Sequence, residues 1–308
     1  MSVYTSISQS QLKLFLKNYS LGELIDFSGI QAGIENTNYV VATEKGKFIL
    51  TLYESLMESE VPKFLLLLDR LANHKFLVPK PQANISGDKL STLKDKPAAI
   101  FNCLPGHSIN NPTIDQCCEI GEFLAQLHQH RQTNIDNTNP NNLAGCQTVF
   151  NKIQPSLSKQ DITLITSELY YQSSYILPDL PKGVIHADLF KDNVLFDQGK
   201  ISGILDFYNA CNEVFIFDIA VTVNDWCIKN TSINPKKFNA LLSGYQKVRA
   251  LSEDETRHFP IFLRLTALRF WLSRIEHQLN AKKGELTLIK DPLIFRRILE
   301  FHRANDNG

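Results

Sequence analysis

The chain has 308 residues, 43% hydrophobic and 21% charged, enough apolar material for one large domain or two modest ones. Lysine plus arginine equals aspartate plus glutamate at 32 each, and that neutrality argues against nucleic acid as a main partner. No run approaches the roughly 20 apolar residues of a membrane span, and residues 1–10 lack the apolar stretch of a signal peptide. The cysteines at 103, 117, 118, 146, 211 and 227 follow no metal-ligand spacing. They read as small core residues of a cytoplasmic protein, monomeric or homodimeric.

The first hundred residues read mainly as strands. Residues 27–31 and 38–43 flank a loop containing Gly33, and 47–53 follows a Glu44-Lys45-Gly46 turn that suits a hairpin. A helix is expected over 58–74, with Phe64, Leu67, Leu68 and Leu71 on one face. Strands over 82–85 and 89–93 share the turn Ser86-Gly87-Asp88, and an apolar run over 98–104 ends at Pro105-Gly106.

Beyond that dipeptide the periodicity turns helical. Helices are expected over 113–130, 161–175, 218–229, 236–248, 253–258 leading into 261–280, and 291–303. Residues 134–142 are an Asn-rich loop, and 183–206 form a compact strand-and-loop block. An α+β architecture follows: a sheet lobe over 1–102 and a mostly helical lobe over 103–308, with a ligand cleft expected between them.

The strand-and-loop block carries the chemistry. Val194 to Phe196 and Ile201 to Leu205 flank a Gln198-Gly199 turn and read as a hairpin. Asn193 enters one strand and Asp206 leaves the other, so an amide oxygen and a carboxylate share one end of the ribbon. That pair suits Mg²⁺, which takes few protein oxygens and fills its shell with phosphates and waters. Asp188 precedes Asn193 by five residues and can act as a base toward a hydroxyl beside the metal. His186 is expected to brace the loop. The set points to phosphoryl transfer from ATP.

These residues resemble the aminoglycoside-phosphotransferase branch of the protein-kinase-like fold. His186-Ala-Asp188-Leu-Phe-Lys-Asp-Asn193 is similar to its catalytic loop and Leu205-Asp206-Phe207 to its metal-binding motif. Residues 120–128 are similar to its central helix. The resemblance implies a two-lobed fold with a small antiparallel β-sheet N-lobe. It further implies that Phe101, Asn102, Cys103 and Leu104 grip adenine through backbone hydrogen bonds. Within the branch, residues 33–39, 48–54, 183–190, 206–212 and 267–274 resemble the homoserine kinases. That likeness implies transfer of the ATP γ-phosphoryl group to the side-chain hydroxyl of L-homoserine, in threonine biosynthesis.

One departure stands out. Where most relatives carry a basic residue on the third strand, this chain has Thr51, so the phosphate grip leans on Mg²⁺ and on Gly33, Asn36 and Asn38.

The amino-acid substrate is a zwitterion and needs charges of both signs. Asp218 and Asp225 share a helical face; the resemblance implies that Asp218 braces the catalytic loop, and Asp225 reads either as a contact for the ammonium or as a plain surface carboxylate. Arg264 falls inside the apolar stripe of its helix, so it needs an anion, either a protein carboxylate or that of the substrate. Arg269 and Arg274 fall nearer the stripe edges and read as solvated. Tyr208 is a candidate for the pocket wall, and Trp226 and Trp271 read as core. The rivals are another small-molecule kinase, for an aminoglycoside, choline or methylthioribose, and a nucleotide-binding pseudokinase. From His186 onward, 17 Lys/Arg stand against 15 Asp/Glu, which speaks against a polycationic acceptor.

Overall fold

A computed structural model describes residues 4–30, 36–130, 135–280 and 290–305. The described residues divide into two compact units: 4–30, 36–106 and 202–205 make one, and the remainder makes the other.

The first unit begins with α1 (Gln9–Leu16), capped by Ser8 in a capping box with Gln11. The strands β1 (Leu24–Gly29), β2 (Thr37–Thr43) and β3 (Gly46–Leu52) follow, then α2 (Val61–Asn73), β4 (Ser91–Leu93) and β5 (Lys96–Asn102). The sheet is antiparallel with strand order β1-β2-β3-β5-β4. Strict alternation along β2 sends Tyr39 and Val41 into a core with Leu50, Leu52, Ala98 and Ile100, against Leu12, Phe15 and Leu16 of α1.

Two expectations are corrected here. Residues 82–85 form no strand, and the hairpin into β5 turns at Lys94-Asp95 instead of Ser86-Gly87-Asp88. Lys94 and Asp95 both have positive φ, 56° and 58°, the conformation of a tight hairpin turn, without the glycine that usually signals one.

The second unit is mostly helical. It comprises α3 (Ile114–Gln129), α4 (Leu143–Ile153), α5 (Lys159–Ser173), β6 (Lys182–Ile185), β7 (Val194–Asp197), β9 (Cys211–Val214) and α6 (Phe215–Trp226). Strand β8 (Lys200–Ile204) pairs with β7, and β6 pairs with β9. After α6 come β10 (Ile228–Lys229), β11 (Ser232–Ile233), α7 (Pro235–Val248), α8 (Glu253–Asn280) and α9 (Leu293–Ala304). Helix α8 continues through Pro260 although a proline there forfeits a ladder bond and crowds the carbonyl four residues back; the buried stretch beyond it keeps the helix docked.

Helices α3 and α7 cross at two glycines. A Cβ on Gly121 would lie 2.1 Å from the Leu241 carbonyl oxygen, and one on Gly244 would lie 2.0 Å from that of Cys118. Only glycine permits so close an approach. It sets Tyr245 of α7 against His128 of α3, with their rings 5.6 Å apart. Among the described residues no helix is long and apolar enough to cross a membrane.

Candidate active site

The ribbon β7–β8 turns at Gln198 and Gly199, with φ of 47° and 80°, as its sequence implied. Asn193 closes a short 3-10 turn (Lys191–Asn193) immediately before β7, and Asp206 follows β8 by two residues. Asp206 sits in the left-handed region at φ 63°, ψ 60°, unusual for a residue with a Cβ and typical of functional turns. Ala187, one residue before Asp188, is also left-handed at φ 64°.

The loop from His186 to Lys191 owes its shape to side chains reaching in from elsewhere. Asp218 of α6 accepts from the His186 N–H at its Oδ2 and from the Ala187 N–H at its Oδ1, each at 2.8 Å. The Arg269 Nη1 donates to the Ala187 carbonyl at 3.1 Å, and the Asn193 amide donates to the Asp188 carbonyl at 2.9 Å. Trp226 Nε1 donates to the Leu189 carbonyl at 3.0 Å, and the Lys191 N–H donates to Asp225 at 2.7 Å. The buried His186 ring accepts from the Asp188 N–H through Nδ1 at 3.2 Å and packs on Phe207 with centroids 4.5 Å apart. His186 thus braces the loop from inside. A non-repetitive segment whose backbone groups are satisfied this fully has one conformation.

Behind Asp218 lies His128. Its Nε2 is 3.1 Å from Asp218 Oδ2, and its Nδ1 is 2.8 Å from the Tyr245 hydroxyl. Distance alone would make this an ion pair, but burial drives the His128 pKa down despite the neighbouring carboxylate. A neutral ring satisfies both contacts, with Nε2–H donating to Asp218 and Nδ1 accepting from Tyr245. Burial alone would raise the Asp218 carboxyl, yet the donors from His128 and the loop outweigh it and hold the group below the ordinary carboxylate range. Asp218 is an ionised anchor for the loop.

The donor set at the ribbon's end fits a hard divalent cation. Asn193 spends its N–H on the Asp188 carbonyl, which leaves the amide oxygen as its ligating atom, and Asp206 supplies a carboxylate. Among the described residues no cluster of three or more His, Cys, Asp or Glu could cage a metal by itself. A cation here would therefore complete its shell from phosphate and water, as Mg²⁺ does.

The remaining candidates sort differently. Arg264 is held bidentate by Glu168, at 2.9 Å from Nε and 2.6 Å from Nη2, and its guanidinium lies over the Tyr171 ring. Its placement with the substrate is corrected: a buried protein carboxylate takes the fork. Asp225 is occupied too, because Lys191 gives it a backbone N–H and holds Nζ 3.3 Å from its Oδ1. A substrate ammonium there would share the carboxylate with that lysine. Tyr208 is half-buried in the 3-10 turn Phe207–Asn209. Arg269, expected at a solvated edge, is buried and touches the 186–191 loop. The wheel could not show this, since it places a residue on a helix face without saying what covers that face.

In the sheet unit, Thr51 is buried on β3 and donates its hydroxyl to Asn38 Oδ1 at 2.7 Å. The donor left over is therefore the Asn38 amide of a half-buried side chain, which lies a long 3.5 Å from the Asn36 carbonyl. Asn36 is buried and accepts from the Glu54 N–H at 3.3 Å, which ties it to the end of β3. Gly33 lies outside the described residues. Along 101–104, the Asn102 N–H donates to the Lys80 carbonyl and the Cys103 N–H to the Lys47 carbonyl, each at 3.2 Å. Phe101 pairs with Ile49 in the sheet. Of the three N–H groups at 102, 103 and 104, only that of Leu104 is left without a backbone partner among the described residues.

A protein-kinase-like fold and a loop-and-ribbon set of this kind define a phosphotransferase. Residues 26–251 match the model of the phosphotransferase enzyme family, and the chain belongs to that family. The homoserine kinase of Methylobacillus flagellatus is 40% identical over 304 residues, covering 97% of this chain and 95% of its own. That of Neisseria meningitidis serogroup B is 39% identical over 301 residues, covering 97% and 99%. Among solved structures, an amicoumacin kinase in complex with AMP-PNP superposes with a TM-score of 0.72 at 16% identity, over 97% and 94% of the chains. Choline kinase from Cryptosporidium parvum gives 0.69 at 14%, over 97% and 95%. At such identities these two likenesses show the fold.

Proposed function

We propose that this chain phosphorylates the side-chain hydroxyl of L-homoserine with ATP, releasing O-phospho-L-homoserine and ADP as a cytoplasmic step of threonine biosynthesis. The observation that carries the substrate is the pair of homoserine kinases near 40% identity over at least 95% of both partners. Asp188 takes the proton of the substrate hydroxyl as its oxygen bonds to the γ-phosphorus and the bond to the ADP oxygen breaks. The braced loop fixes where that carboxylate stands, which is the main service a protein renders to phosphoryl transfer. Asn193 and Asp206 would hold Mg²⁺, which when bound would offset the charge on the phosphates.

In the sheet unit, the Asn38 amide, oriented by Thr51, takes a phosphate oxygen where many relatives have a cation. The adenine grip narrows to the Leu104 N–H and the carbonyls of the 101–104 segment. The test is product mass after incubation with ATP, Mg²⁺ and, in turn, homoserine, choline, methylthioribose and kanamycin. Phosphate on homoserine is expected, and phosphate appearing only on another acceptor overturns the proposal. Asp188→Ala should lower kcat by at least about 10²-fold with ATP still bound.

A further inference from the structure

Arg264 and Arg269 are the two buried arginines among the described residues, each 6% exposed. Arg264 has its carboxylate in Glu168. Arg269 has none within 4 Å among the described residues, its Nε is buried without a hydrogen-bond partner, and its one bond runs from Nη1 to the Ala187 carbonyl. The guanidinium lies 4.0 Å from the centroid of the Phe270 ring. The ionisable groups facing it are Asp188 on the loop, Cys146 on α4, Cys211 on β9 and Asp218 on α6. Burial lowers its pKa, and Asp188 is the foremost of the groups opposing that.

A lone buried guanidinium is a costly way to fill space, and an apolar side chain of the same length would pack there without the loss of hydration. What the charge provides is a strong bond to one particular carbonyl. That carbonyl belongs to Ala187, whose left-handed backbone aims the next residue. Asp218 already holds the N–H of the same residue, so the two side chains grip Ala187 from both ends.

We propose that Arg269 is a positioning residue for the reaction: it locks the Ala187 peptide and thereby fixes the carboxylate of Asp188 without touching either substrate. The inference rests on the reading of Asp188 as the base. Steady-state kinetics with homoserine and Mg-ATP on wild type, Arg269→Met, Arg269→Lys, Asp188→Ala and the double variant Asp188→Ala/Arg269→Met test it, with thermal unfolding run alongside.

Arg269→Met should lose on the order of 10²-fold in kcat, the scale of a misplaced reacting group, with both KM values little changed. Arg269→Lys, which keeps the charge but not the fork, should fall between it and wild type. In the Asp188→Ala background the methionine should cost little more, since the group it positions is gone. A folded Arg269→Met enzyme with wild-type kcat overturns the inference. So does a rise in the homoserine KM at unchanged kcat, which would make Arg269 a substrate contact, and so does a loss that multiplies in full with Asp188→Ala. Should Arg269→Met not fold, Arg269→Lys decides alone: lowered kcat at unchanged KM supports the inference, and unchanged kcat overturns it. Normal turnover by Asp188→Ala sinks the base assignment itself, and the inference with it.

Discussion

The 186–191 loop and the strand pair β2–β3 solve the same problem, holding a polar group in place, with opposite materials. Around 186–191 the backbone is gripped by charge from buried or half-buried side chains: Asp218 and Arg269 at Ala187, Asp225 at Lys191. On β2 and β3 the corresponding device is neutral, a threonine hydroxyl steering an asparagine amide. Buried charge gives strong, directional bonds, but each one broken strands its partner in a medium that cannot solvate it. Neutral pairs hold less firmly and fail more gently. Substitutions in the loop's braces should therefore act as switches, and substitutions in the strand pair as dials.

Asp218→Ala should be the severest. It orphans the His128 ring N–H and the N–H groups of His186 and Ala187, at about 1–3 kcal/mol for each buried donor. Thermal unfolding should show several kcal/mol lost, and kcat should fall by on the order of 10²-fold as Asp188 loses its station. Wild-type turnover in a folded variant would show that the loop stands unaided. Glu168→Ala should be nearly as destabilising, about 3–5 kcal/mol, because Arg264 and Arg303 both lose their carboxylate. Its effect should stop at stability. A raised homoserine KM would return Arg264 to the substrate site.

Behind the loop the support is steric. Gly121→Ala drives a methyl into the Leu241 carbonyl, and since backbone cannot step aside cheaply, about 1–3 kcal/mol should be lost. The displaced α7 carries Tyr245, so a smaller drop in kcat should accompany it through His128 and Asp218. Unchanged stability would mean that the two helices can slide apart freely.

The same brace predicts an acid limit. His128 is held neutral by burial, so the unfolded chain binds a proton that the folded one refuses, and stability falls as pH drops below the ordinary histidine value of 6.5. Asp218, whose folded pKa is depressed, adds a loss of its own only at pH below its unfolded value near 3.8. Unfolding free energies from denaturant titrations between pH 5 and 7 should slope by up to about 1.4 kcal/mol per pH unit from this one proton. His128→Gln should flatten that slope, and an unchanged slope would place the titrating group elsewhere.

How much of this was legible beforehand follows from the range of each interaction. The ribbon that ends on Asn193 and Asp206 could be read because its turn and strands are contiguous in sequence, and Asp218 could be placed as a brace. The Lys94-Asp95 turn was missed because it adopts positive φ without glycine. The roles of Arg269, Glu168 and Trp226 were hidden for a different reason: each is decided by a partner dozens of residues away, which no periodicity encodes. Helical position said that Arg264 was buried; only the packing of α5 on α8 said which anion it meets.

The gentlest substitution bears most directly on the neutral half of the comparison. Thr51→Val keeps the branched shape of a buried residue on β3 and deletes only the hydroxyl that donates to Asn38. The freed Asn38 amide can then rotate, and on average it presents fewer donors to a phosphate. One neutral hydrogen bond is worth about 0.5–1.5 kcal/mol, so the KM for ATP should rise by roughly two- to tenfold. The homoserine KM and kcat should hold, because the braces of the 186–191 loop and the Asn193 amide bond are untouched. An unchanged ATP KM would show that Asn38 does not face the phosphates. A collapse of kcat would show that the neutral pair is as brittle as the charged loop.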